Sequence, residues 1–320
     1  MRRHPRVPFH YAHMDTLLQQ LINGLTVGSI YALVALGYTM VYGILGLINF
    51  AHGEVVMIGA LTGLAAIRPL ASAGLPGPVA MLIGCGLAML VCLVLGLTIE
   101  RVAYRPLRRA PRLAPLITAI GVSMVLQQLA MLAWGRNYHP FPQLLSAAPR
   151  EIAGAQITDL QIIIVIVATA IMAGLLLLVN RTRLGRAMRA TAENPQIAAL
   201  MGVDADRIVA LTFAIGSALA AIAGVMVAAN YGIAHYHMGF ILGLKAFTAA
   251  VLGGIGNITG AMAGGILLGV IEALGAGYIG DITGGFLGSD YQDVFAFFVL
   301  IGVLVFRPSG LMGEKLAERA

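Results

Sequence analysis

GSIYALVALGYTMVYGILGLINFAHGEVVMIGA, residues 28–60, carries a single charged side chain, Glu54, along its whole length. A helix at a protein–water boundary needs a polar face, and no turn of this stretch supplies one. Apolar side chains on every face suit a large core or lipid, and about 20 such residues cross a hydrocarbon layer. Outward from it, apolar windows recur at 17–48, 51–70, 79–99, 114–134, 159–179, 208–229, 239–256, 259–279 and 291–306. The fold class is therefore all-α, a polytopic transmembrane helical bundle of 8–10 spans with one or two broken helices. The first window exceeds one crossing and contains Gly37, Gly43 and Gly46, which predicts a full helix over 17–36 and a short or broken one over 37–49.

Composition excludes a soluble fold. The chain is 59% hydrophobic and 11% charged, against about 45–50% and about 25% in soluble domains. Its 40 glycines fit close helix packing in lipid. The net charge of +6 does not signal nucleic acid, because the arginines fill short loops between apolar spans. Cys85 and Cys92 lie seven apart in one window, on one helix face, and read as small packing residues. Residues 1–14 are basic and His-rich, and no Ala-x-Ala cleavage site follows them, so no signal peptide is expected.

Charge sets the expected orientation. Arg2, Arg3 and Arg6 precede the first span; Arg101, Arg105, Arg108, Arg109 and Arg112 fill one loop; Arg181, Arg183, Arg186 and Arg189 fill another. Arg307, Lys315 and Arg319 follow the last span. All four segments are expected inside, with the acidic loop 280–293 and the Pro-rich loop 136–158 outside. Counting 37–49 as a crossing gives ten spans with both termini inside; making 37–49 and 239–256 re-entrant gives eight. The division is a cytoplasmic tail at 1–16, a transmembrane domain at 17–306 that includes a cytoplasmic loop at 180–207, and a cytoplasmic tail at 307–320. LGLINFAHG at 45–53 is locally similar to LGGIGNITG at 252–260, each a Gly-rich breaker with an Asn between apolar spans. Interrupted helices in corresponding places point to transporter binding sites.

The loop NRTRLGRAMRATAENPQIAALMGVDADR, 180–207, holds a second signal. Asn194 suits an N-cap, Pro195 a first helical turn, and Gly202 a left-handed stop, so a short helix is expected between them. Such a helix lies on lipid, docks into a partner, or serves as a plain connector. Neither lysine, Lys245 or Lys315, follows a glycine, so there is no P-loop. No zinc motif or Ser-His-Asp set is visible, and His235 and His237 read as interfacial. Ionisable groups within spans are costly and default to pathway or pairing roles; these are Glu54, Lys245 and Glu272. The plainer alternative for each is a headgroup position or an interhelical hydrogen bond.

Several long segments in order resemble the LivH-type permease subunit of bacterial high-affinity branched-chain amino acid ABC importers. They are residues 28–60, TIERVAYRPLR at 98–108, GRAMRATAENPQIAALMGVDADRIVALTFAIGSALAAIAGVM at 185–226, KAFTAAVLGGIGNITGAMAGG at 245–265 and RPSGLMG at 307–313. The resemblance implies a non-catalytic membrane subunit of the bacterial inner membrane that pairs with a second, similar permease. Two separate ATPase subunits would bind ATP and Mg, a periplasmic binding protein would deliver Leu, Ile or Val, and no cofactor, metal or nucleic acid is expected on this chain. It also implies that 192–202 is a coupling helix docking into the ATPase, with Glu193, Asn194, Pro195, Ala198, Ala199 and Gly202 as its residues. Of the Glu-Ala-Ala…Gly pattern common in ABC importers, only Ala198, Ala199 and Gly202 echo. Pathway candidates are Asn49, Glu54, Gly253, Asn257, Lys245 and Glu272. The competing readings are a related permease for urea, short amides or other amino acids, and an ion-coupled carrier with Glu54 and Glu272 as relay.

Overall fold

The first apolar window folds as one continuous helix, α1, Phe9–Leu45. The expected separation of 17–36 from 37–49 is absent, and helix begins before residue 17. Two of the three glycines read as interruptions are contact points: a Cβ on Gly37 would fall 2.2 Å from the His52 ring, and Gly43 lies against Gly256. The helix stops only at Gly46, whose φ of +63° is left-handed.

This computed structural model describes residues 9–108, 110–111, 113–145, 149–152, 154–284, 286, 291–307 and 309–313. Arg2, Arg3, Arg6, Arg109, Arg112, Asp290, Lys315 and Arg319 lie outside the described residues. After α1 come α2 (His52–Ser72), α3 (Gly77–Ile99), α4 (Leu113–Trp134) and α5 (Asp159–Arg181). Next are α6 (Arg183–Glu193), α7 (Pro195–Leu200), α8 (Ala205–Tyr231), α9 (Met238–Gly253), α10 (Ile258–Ile282) and α11 (Gln292–Phe306). Two small strand pairs sit in the connections, β1 (His139–Pro140) with β4 (Ile233–Ala234) and β2 (Arg150–Ile152) with β3 (Ala155–Ile157). Among the described residues, seven helices are long and apolar enough to cross a membrane: α1 to α5, α8 and α10. Shorter apolar helices are α9 and Phe297–Phe306 of α11. The chain is a polytopic helical membrane protein.

Small residues bring the central helices together. Gly24, Gly28 and Ala32 of α1, each four apart, face Gly265, Gly269 and Ala273 of α10. A Cβ on Gly269 would lie 2.3 Å from the Gly28 backbone, and one on Gly265 would lie 2.4 Å from Ala32. Lipid gives no hydrophobic drive between helices, so this backbone approach, with its dispersion contacts, is what holds the pair. Gly59 against Ala221 and Gly224 against Val56 join α2 to α8 in the same way. The most apolar windows of α1 and α8 are 78% and 72% buried, whereas that of α4 is 17%. Leu82, Leu90, Ile117, Leu132, Ile166 and Leu177 on α3, α4 and α5 are correspondingly exposed, as lipid-facing side chains should be.

Contacts fix the helix directions. α10 runs antiparallel to α1 through the 24–270, 28–266 and 32–265 pairs, and to α9 through 249–264 and 253–260. The segment 311–313 returns to the end of α9, where Leu311 N donates to Leu252 O and Met312 N to Gly253 O. The Arg101–Arg108 turn, α6–α7 and Arg307 therefore share one end of the bundle, here the basic end. Three helices rather than the expected four precede Arg101, which puts the start of α1 at the far end.

Candidate functional site

The loop at the basic end folds as its caps dictate. Thr182 Oγ1 accepts from Gly185 N at 3.1 Å and starts α6. Asn194, extended at φ −156°, ends α6 just after Glu193 and caps α7 through Oδ1, accepting from Gln196 N at 2.9 Å and Ile197 N at 3.0 Å. Pro195 occupies the first turn. Gly202, at φ +83°, closes α7 with its N–H donating to Ala199 O. Ala198 is buried against the bundle, while Ile197, Leu200 and Met201 are 59%, 86% and 81% exposed. A six-residue helix thus presents apolar side chains away from its own protein.

A polar cluster that the sequence reading used only for topology ties this loop to α3. After α3 the chain makes a π turn, Glu100–Tyr104, and a 3-10 turn, Arg105–Leu107. Arg105 and Arg108 both pair with Asp206 in the first turn of α8, and Arg108 also reaches buried Glu100. Tyr104, on the same π turn, donates to Asn49 Oδ1 at 3.1 Å.

Asn49 sits in the break between α1 and α2, which is itself inside the protein. Asn49, His52 and Glu54 are all at most 3% exposed. Asn49 Oδ1 also accepts from Ala51 N at 3.1 Å, stabilising the entry to α2. The Tyr38 ring packs edge-on against His52, with centroids 4.9 Å apart. Glu54 Oε1 accepts from Ser123 Oγ at 3.3 Å, and its Oε2 faces Gly239 of α9.

The second breaker matches the first in construction. Gly254 and Gly256 take φ of +109° and +94° after α9 ends at Gly253, and Asn257 Oδ1 accepts from Gly260 N at 3.0 Å to start α10. Asn257 Nδ2 donates to Met312 O, so this breaker is stitched to the chain after α11. The last turn of α1 approaches this second break, where Gly43 lies against Gly256.

Lys245 and Glu272 form a separate group. Their Nζ–Oε2 distance is 3.2 Å, Tyr31 Oη donates to Glu272 at 2.8 Å, and Asp293 Oδ1 stands 2.6 Å from Lys245. Lys245 and Glu272 are both buried, and the group joins α9, α10, α1 and α11. Lys245 and Tyr31 border a cavity of about 390 Å³ whose walls include Val227, Ile241 and Leu242. Among the described residues, no group of three or more His, Cys, Asp or Glu could hold a metal. His235 instead stacks on Tyr138 and approaches Arg136 O at 3.0 Å.

The six pathway candidates thus fall into three groups: Asn49 with Glu54, Gly253 with Asn257, and Lys245 with Glu272. Sequence reasoning missed Tyr31, Tyr104, Ser123 and Asp206. The tyrosines and the aspartate lay in plain view within the quoted segments, and Ser123 sits four residues before the polar Gln127 on one helical face.

Residues 20–304 match the family described as branched-chain amino acid transport system / permease component. The chain belongs to this family. It is 50% identical over 316 residues, covering 97% of this chain and 98% of the other, to the high-affinity branched-chain amino acid transport system permease protein BraD of Pseudomonas aeruginosa. The corresponding LivH protein of Escherichia coli K12 is 45% identical over 307 residues, covering 94% and 97%. A probable branched-chain amino acid transport permease protein LivH of Methanocaldococcus jannaschii is 26% identical over 287 residues, covering 89% of each chain. The match runs through both Asn-containing breaks and the α6–α7 loop, so those segments belong to the permease region itself. The chain is a permease component, and a component works within a system of other subunits.

Proposed function

We propose that this chain is the permease subunit of an ABC importer that moves leucine, isoleucine and valine across the bacterial inner membrane. The observation that carries the proposal is the near-complete, half-identical match to a permease of a high-affinity branched-chain amino acid system. ATP hydrolysis on two separate ATPase subunits drives the movement, a second permease completes the path, and a periplasmic protein delivers the amino acid. Energy enters at α7. Its exposed Ile197, Leu200 and Met201 suit the groove of a partner, and Asn194 and Gly202 hold the helix between fixed ends. Glu193, Ala198 and Ala199 belong to the same docking unit.

Motion received at α7 has a physical route inward. Asp206, four residues past Gly202, holds Arg105 and Arg108, and the π turn carrying them holds Asn49 through Tyr104. The path runs beside the two Asn-containing breaks, where Asn49, Glu54, Gly253 and Asn257 supply polar groups among apolar helices. Lys245 and Glu272 brace α9 against α10 and border the apolar cavity. With the basic end inside, α1 begins outside; two basic loops and the basic segment after the last span outweigh the one basic segment before the first.

Deleting the gene tests the substrate. Uptake of leucine, isoleucine and valine at low external concentration should fall together and return with the gene on a plasmid. Loss of urea uptake with leucine uptake intact would replace the substrate class.

A further inference from the structure

Between α4 and the first turn of α9 runs a row of polar groups in otherwise apolar surroundings. Glu54 is 1% exposed. Its Oε1 takes one hydrogen bond, from Ser123, and its Oε2 has no hydrogen-bond partner among the described residues. No Lys or Arg pairs with it there, since Lys245 is engaged by Glu272 and Asp293. Gly239 leaves the space that Oε2 occupies, for a Cβ at that position would come within 2.6 Å of the oxygen. One turn beyond Ser123 toward the far end, Gln127 Nε2 donates to His237 Nδ1 at 2.8 Å. Ser123 and Gln127 are half-buried and His237 is exposed, so the row leads from the surface down to the buried carboxylate. Exposed Met124 and Phe240 flank it with apolar surface.

A carboxylate at membrane depth with one neutral hydrogen bond is costly and marks a site that a cation completes. The cation must be small, carry several N–H donors, and bring an apolar body that the flanking side chains accept. We propose that Glu54, Ser123, Gln127 and His237 form an ammonium-recognising strip in the outer half of the path. Glu54 takes the protonated amine of an apolar amino acid, Ser123 shares it, and the Gln127–His237 hydrogen bond closes the strip toward the outside. The proposal rests on the transport reading and adds the chemical group recognised and the residues that recognise it.

The test uses the complete reconstituted complex with Cys85→Ala and Cys92→Ala in this chain and a new thiol at Ser123→Cys. With each rate divided by that of the same reagent with a small free thiol, a cationic methanethiosulfonate should label the thiol about tenfold faster than an anionic one of equal size, the bias expected from one nearby carboxylate in a partly buried site. Glu54→Gln should abolish that bias. Leucine and isopentylamine should slow labelling, and 4-methylpentanoate, which lacks the amine, should not. Equal rates for the two reagents, a bias that survives Glu54→Gln, or protection by 4-methylpentanoate would overturn the strip. If Ser123→Cys fails to assemble, Gln127→Cys serves with the same expectations. Leucine uptake by the parent complex is scored separately. Its loss alongside an intact charge bias and protection by another apolar amine would sink the leucine reading and leave the strip standing.

Discussion

Lys245 shows how much one side chain can hold in this bundle. Its ammonium lies between Glu272 and Asp293, beside the Tyr31 hydroxyl, at the junction of four helices. Removing one member of a buried pair strands the other, at a cost of about 3–5 kcal/mol, whereas replacing both with apolar groups of similar volume is often neutral. Lys245→Met should therefore lower the melting temperature of the purified protein sharply, and Lys245→Met with Glu272→Met should recover most of the loss. Equal, additive losses in that cycle would mean that the two groups do not interact. The charges themselves were legible as costly residues within spans. Their pairing was not, because Lys245 and Glu272 are 27 residues apart and a helix turn lies between them. Glu54 was legible for the same reason, while its neighbours Ser123 and Gly239 became visible only when α4 and α9 closed around it.

At the scale of elements, local signals and packing signals divide cleanly. Asn194, Pro195 and Gly202 specify α7 locally, through a side-chain cap, a fixed first-turn φ and a left-handed stop, so its bounds could be read directly from the residues. Leu200 and Met201 touch little of their own protein, and Leu200→Asp should shift stability by no more than about 0.5 kcal/mol. The same change should abolish leucine uptake and pull-down of the ATPase subunits if α7 is the docking helix; normal uptake would show that it is not. Glycine was the harder signal. Gly37 and Gly43 look like breakers in a list of residues, yet in place they admit a His ring and a neighbouring backbone. Whether a glycine stops a helix or receives another one depends on what packs there, which a single sequence does not display. The repeat of small residues every fourth position in 24–32 and 265–273 was present to be read and is the pattern that unites α1 and α10. Gly269→Val should drive those backbones apart, at a cost of about 1–3 kcal/mol or more. The expected readout is loss of the monodisperse peak in detergent, with Gly86→Val, which meets nothing within 4 Å, as a tolerated control.

For the whole molecule, composition established a multi-pass membrane protein; among the described residues seven helices are long and apolar enough to cross a membrane, accompanied by two shorter apolar ones. The count changed the topology. One continuous α1 leaves three helices before Arg101 in place of the expected four, and under the proposed orientation, with the basic end inside, the start of α1 lies outside. A cysteine introduced ahead of α1 should react with a membrane-impermeant thiol reagent in intact spheroplasts, and one at Gly313 only after permeabilisation. Reaction of both cysteines, or of neither, before permeabilisation would restore an even count, and the reverse pattern would invert the orientation.

The central claim is that this chain is a passage moved by ATP hydrolysed on other subunits. It is tested most directly by labelled leucine uptake into proteoliposomes holding both permeases and both ATPases, with binding protein supplied on the outside. The account predicts accumulation that requires ATP on the ATPase side and vanishes when the ATPase subunits are omitted. Leucine accumulation by the permease pair alone, driven by an ion gradient, would contradict it.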